Sequence, residues 1–177
     1  IVVTRGEILV GGHGLAFVPG HMAIDPNGAE CACGQRGCLV TVAGPEVVVT
    51  AAGLGGLLAD QGVTTAVSEL LRRADAGDAA AREALSSAAM WLGRFLNLVL
   101  VGLDPSVIVL GGYWAAAIDY LRPGIDQFFS AFAPGARAAY GKHMVRPATL
   151  GLRANIIGAV DQAIRACFDE SAVSEEV

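Results

Sequence analysis

The chain has 177 residues, of which 54% are hydrophobic and only 16% charged, enough for one domain with a sizeable core or one lobe of something larger. A formal net charge of −5 and a single lysine, Lys142, argue against a nucleic-acid surface within these residues, because phosphate contacts need clustered Lys and Arg. No uninterrupted apolar run reaches the roughly 18 residues of a membrane span, so no membrane partner is expected.

The opening "IVVTRGEILVGG" reads as a strand already under way, with no initiator Met and no leader pattern. The expectation is a cytoplasmic fragment of a longer protein, cut inside or beside a sheet. The runs "IVVT", "EILVGG" and "HMAIDPNG", punctuated by "RGE" and "PNG", predict strands and tight turns through the first third.

From Pro45 the apolar spacing turns helical, through "PEVVVTAAGLGGLLA" and "VTTAVSELLRRADAGD". The longest predicted helix is "AAAREALSSAAMWLGRFLNLVLVGL", with Leu85, Ala89, Leu92, Leu96 and Val99 on one stripe and Asp104-Pro105 as its stop. Then come a short strand "SVIVLGG", a helix through "YLRPGIDQFFSAFA", a strand in "MVRPATLG" and a last helix "NIIGAVDQAIRACF". This order predicts an α/β domain with a mixed sheet over residues 1–168, followed by a disordered tail over 169–177.

Several residues are read as structural. Trp91, Trp114, Phe128, Phe129 and Phe132 are expected in core or interface packing. His13 and His143 have no neighbours at ligand spacing and are expected in loops or on the surface. Cys167 is expected as a small buried hydrophobe on the last helix.

"HMAIDPNGAECACGQRGCLV" gathers His21, Cys31, Cys33 and Cys38, three of the chain's four cysteines. A disulfide is one reading, but Cys31 and Cys33 are too close in sequence to pair comfortably, and one cysteine is left over. A reactive thiol with His21 as base is another, and it leaves three interleaved cysteines unexplained. Zinc fits best: three thiolates and an imidazole make a tetrahedron, with Gly34 and Gly37 letting the backbone curl round the ion. Four protein ligands leave no open position for an activated water, so Zn2+ here is expected to be structural.

The string from "RGEILVGGHGLA" to "PGHMAIDPNGAECACGQRGCL", followed by "LDPSVIVLGG" and "RANIIGA", resembles the ROK family of sugar-sensing repressors and sugar kinases. The resemblance covers the chain to about Phe168. It implies an actin-like, ribonuclease-H-like α/β lobe, the C-terminal one of two, with zinc on His21, Cys31, Cys33 and Cys38 in a loop over residues 21–38. It also implies a sugar between the lobes, contacted by the zinc-ligating His and by two glutamates, and a homo-oligomer.

The sequence departs from the family pattern at both glutamates. Phe17 and Val18 stand where the family has Gly-Glu, and Val40 stands where it has Glu after the last cysteine. A charged hydrogen bond contributes roughly 1.5–3 kcal/mol, so two losses predict a drop in sugar affinity on the order of 10² to 10⁴. The expected ligand pocket around His21, Val18 and Val40 is therefore degenerate.

The leading expectation is the effector-sensing and oligomerisation domain of a ROK-type sugar-responsive transcriptional regulator, whose DNA-binding part lies upstream. A lobe of an ATP-dependent ROK sugar kinase is the first alternative. Its catalytic Asp and phosphate loop would lie before Ile1, so these residues alone are not expected to catalyse. Gly111 and Gly112 match the family's nucleotide-approaching turn, although Gly-Gly after a buried strand is more often a plain tight turn. A zinc-stabilised interaction module without a small ligand is the second alternative.

Overall fold

The computed structural model of the chain describes residues 1–129 and 144–173, the last five of these by backbone alone. Phe132, Lys142, His143 and the tail residues 174–177 lie outside the described residues.

The N-terminal strands β1 (Val3–Thr4) and β2 (Glu7–Ile8) form an antiparallel hairpin, with Val3 opposite Ile8 and Thr4 opposite Glu7. The two turn residues, Arg5 and Gly6, have φ of 54° and 83°. Positive φ at both positions is the type I′ geometry that matches strand twist. The predicted strand at "HMAIDPNG" is reduced to one bridge, between Ala23 and Cys38.

Helices α1 (Val40–Ala43), α2 (Pro45–Ala51) and α3 (Gly55–Asp75) follow. Gly62, at φ 79° and ψ 172°, interrupts α3, so the sequence between Gly55 and Asp75 runs as two helical pieces. Asp78 caps α4 (Ala79–Leu103), its Oδ1 accepting from the Ala81 N–H at 2.8 Å, which satisfies one of the donors that a helix start leaves free. Asp104 ends α4 in a left-handed conformation, with φ 43°, and Pro105 follows.

β3 (Ile108–Leu110) pairs in parallel with β4 (Val145–Pro147), in the register Ile108 to Val145. Between them lie α5 (Tyr113–Ala116) and α6 (Ile118–Phe129). A single turn of 3₁₀ helix, Gly151–Arg153, leads into α7 (Ala154–Val173), which runs beyond Phe168. Strands of both senses are present as predicted for a mixed sheet, but among the described residues they form two separate two-stranded sheets.

The core is centred on α4. All five residues of its predicted stripe are buried, from Leu85 to Val99, and its most extensive packing is against α6. Glycine permits that approach: a Cβ on Gly93 would lie 2.7 Å from the Gly124 carbonyl oxygen, and one on Gly124 would lie 2.6 Å from Ala89 Cβ. Trp91, Trp114, Phe128 and Phe129 are half-buried.

One expectation needs correction: Cys167 is exposed, on a helix whose main packing among the described residues is against its own leading turn. Its apolar residues Ile156, Val160, Ile164 and Phe168 are exposed as well. By length and composition alone α4 could cross a membrane, although charged residues interrupt its apolar run. More than half of that window is buried in this fold, as befits the central helix of a packed core.

Candidate metal centre

His21 ends a 3₁₀ turn, Pro19–His21, in which its N–H donates to the Val18 carbonyl. The chain then folds back on itself through short backbone contacts. Ile24 N–H donates to Gly37 O at 2.8 Å, Leu39 N–H to Met22 O at 2.9 Å, and Cys31 N–H to Gln35 O at 2.8 Å. These bonds bring residues ten to seventeen positions apart to one point.

At that point Cys31 Sγ lies 3.5 Å from His21 Nδ1, and Cys33 Sγ lies 3.6 Å from Cys38 Sγ. All four ligating atoms fall within 4.8 Å of one another. A zinc tetrahedron with bonds of about 2.3 Å to sulfur and about 2.0 Å to nitrogen has edges of roughly 3.5–3.8 Å. The residues thus fit the group, by donor chemistry and by spacing, with Cys31 and Cys38 buried and His21 and Cys33 on the solvent side. No disulfide joins Cys31, Cys33 or Cys38.

The thiols differ in their local environments. Burial, and then the Cys33 and Cys31 sulfurs beside it, push the Cys38 thiol up to about 12. Cys33 is lowered, first by a backbone hydrogen bond at Gln35. A bound cation reverses such a penalty, since its charge displaces the thiol proton directly.

Three further residues brace the loop. Gly37, at φ 71°, has its missing Cβ only 1.7 Å from the Asp25 carbonyl oxygen, and Gly28 packs against Gly37 in turn. Arg36 donates to the Gly28 carbonyl at 3.1 Å and to Glu30 Oε1 at 2.6 Å. Gly28 lies in the "PNG" turn, and the signal for Arg36 and Gly37 in the sequence is the "GQRGC" spacer itself.

Val40 borders a cavity of about 880 Å³ together with Phe17, Pro19 and Gly20, and Val18 and His21 are joined by the backbone hydrogen bond of the 3₁₀ turn. Phe17 has φ 56° and lays its ring 6.1 Å from that of Phe95 in α4. Gly111 reaches the same cavity, and Gly112 precedes α5. A second cavity, of about 620 Å³ beside α3, presents Arg72 and Arg73, both already paired with Glu69 at 2.6 and 3.0 Å. His13 is exposed.

Helices packed with short strands, and a cysteine loop between the N-terminal hairpin and α1, make an actin-like α/β lobe of the kind found in bacterial sugar kinases and their relatives. The chain belongs to the ROK family, whose model matches residues 1–166. It is 38% identical over 168 residues to the glucokinase of Halalkalibacterium halodurans, covering 89% of this chain and 50% of that one. With the DNA-binding transcriptional repressor Mlc of Escherichia coli it shares 30% over 149 residues, covering 81% and 36%. A ROK glucokinase from Streptomyces griseus, solved with glucose and AMPPNP, superposes at TM-score 0.71 with 25% identity, covering 89% of this chain and 54% of that one. The chain spans about half the length of such kinases, and less of the repressor.

Proposed function

We propose that residues 1–168 are the C-terminal, effector-sensing and oligomerising lobe of a cytoplasmic ROK transcriptional regulator, with a degenerate sugar site. Zn2+ on His21, Cys31, Cys33 and Cys38 is structural in this reading. Supplied with four protein ligands, the ion fixes a loop and adds no reactive water. The observation that carries the proposal is the pair Val18 and Val40, at the positions of the family's glutamates. Both side chains are partly exposed and aliphatic, and neither accepts a sugar hydroxyl. Contact with DNA would belong to residues upstream, consistent with the net charge of −5 here.

The kinase reading keeps one specific support. The glucokinase relative is more similar than the repressor, 38% against 30% identity. One set of measurements separates the readings. Elemental analysis of the purified chain is expected to give close to one zinc per chain, and Cys33→Ser is expected to lower both zinc content and Tm. Calorimetry of the full-length protein with glucose and N-acetylmannosamine is expected to show affinity weaker than a glutamate-bearing ROK kinase by about 10² to 10⁴. Micromolar glucose binding with ATP turnover would establish the kinase reading instead.

A further inference from the structure

The sulfurs of the cysteine loop differ in access and in freedom to move. Cys38 is fully buried. It bridges to Ala23, its neighbour Gly37 accepts from Ile24 N–H at 2.8 Å, and its other neighbour Leu39 donates to Met22 O at 2.9 Å. The backbone on both sides of Cys38 is therefore held. Cys33 is exposed, at the tip of a turn closed by Cys31 N–H to Gln35 O at 2.8 Å and Gly34 N–H to Cys31 O at 2.9 Å. Beside it Gly34 has φ 89°, and a Cβ there would meet nothing within 4 Å, so the tip has open space to move into.

The Cys33 and Cys38 sulfurs stand 3.6 Å apart. A disulfide bond is about 2.0 Å long, so a displacement of roughly 1.6 Å at the tip joins them. Cys31 is the poorer partner for Cys33. It is buried, its sulfur lies 3.5 Å from His21 Nδ1, and a bridge spanning a single residue is strained.

We propose that the metal centre is a peroxide-responsive switch: a hydroperoxide reaches Cys33 from solvent, a Cys33–Cys38 disulfide forms, and the site gives up its zinc. This rests on the reading of His21, Cys31, Cys33 and Cys38 as zinc ligands. In the first step the Cys33 thiolate attacks a peroxide oxygen. The S–O bond forms as the O–O bond breaks, leaving a sulfenic acid on Cys33 and a hydroxide that takes up a proton to become water. In the second step the Cys38 thiolate attacks the Cys33 sulfur. The S–S bond forms as the S–O bond breaks, and the departing hydroxide is protonated to a second water. The two sulfurs lose two electrons, and one hydrogen peroxide accepts them. Thiolates are the metal-binding form of cysteine, so only His21 and Cys31 remain as ligands, against the four that a structural zinc site needs. A dithiol reductant reverses the change. The loop between the N-terminal hairpin and α1 is thus pinned under reducing conditions and released by oxidant.

Peroxide titration tests this. The chain carrying Cys167→Ser, which removes the fourth cysteine, is purified with reductant, assayed for zinc and treated with one equivalent of hydrogen peroxide. Released zinc is followed with a chromogenic chelator, and the product is mapped by mass spectrometry of proteolytic peptides. The expected result is zinc close to one per chain before oxidation, then its release together with a peptide pair linking Cys33 to Cys38. Dithiothreitol and added zinc are expected to restore the starting metal content. Cys33→His keeps four ligands as a Cys₂His₂ set, and is expected to hold zinc and release it to peroxide at least about tenfold more slowly. The peptide map of the parent decides alone if that variant does not load metal. Zinc retained through oxidation, sulfinate or sulfonate in place of the disulfide, a bridge made by Cys31, or equal release from the parent and Cys33→His overturns the switch and leaves the zinc assignment standing. A reduced chain without zinc overturns both.

Discussion

A β-carbon at position 37 would collide with the Asp25 carbonyl carbon and oxygen, at 2.6 and 1.7 Å, and the backbone there has φ 71°. Gly37→Ala is therefore expected to push the strand of Cys38 away from Asp25. Zinc retention in a chelator competition should fall by at least about tenfold, since positive φ and a backbone clash cost a few kcal/mol together and about 1.4 kcal/mol is tenfold. Unchanged retention would mean that the loop closes without this contact. The sequence made the four ligating side chains legible because zinc needs those atom types in close order. It did not reveal which glycine bears the close approach, because a turn and a tight packing contact both read simply as Gly.

Ion pairing along α3 gives a pH-dependent element. Hydrogen bonds from Arg72 and then Arg73 lower the Glu69 carboxyl to about 2, well below the usual 4.3 or so of a free glutamate. A depressed carboxylate stabilises the fold above its unfolded pKa, and that contribution is lost as pH falls through the folded value. Glu69→Gln is expected to lower Tm at pH 7, with the gap to wild type closing between about pH 4 and pH 2; a gap that widens on acidification would contradict the assignment.

The α4–α6 contact makes a different demand. Gly93→Ala places a methyl 2.6 Å from Phe128 Cδ2 and 2.7 Å from a backbone oxygen, and overpacking of this kind costs about 1–3 kcal/mol. Urea unfolding should report that loss, while Gly102→Ala, whose added carbon meets nothing within 4 Å, should show none of it. Periodicity located α4 to the residue because a long apolar stripe and an Asp-Pro stop agree. The break at Gly62 was not legible: isolated glycines in a helical pattern are more often tolerated than hinged.

Over the whole molecule, the α/β class followed from element order, and the family resemblance supplied the lobe. What sequence patterning missed is how the pieces are partnered. Cys167 sits on an amphipathic helix and was expected inside, yet α7 has little against it among the described residues. Short strands posed the same difficulty. A two- or three-residue strand carries too little alternation to reveal which edges pair, and the mixed sheet appears here as two separate ladders.

The ring contact between Phe17 and Phe95 has a mechanical consequence. Phe17 stands four residues ahead of His21, and Phe95 belongs to the helix that α6 grips through Gly93 and Gly124. The cysteine loop is therefore tied to the most closely packed helix pair of the fold by an aromatic contact as well as by the chain itself.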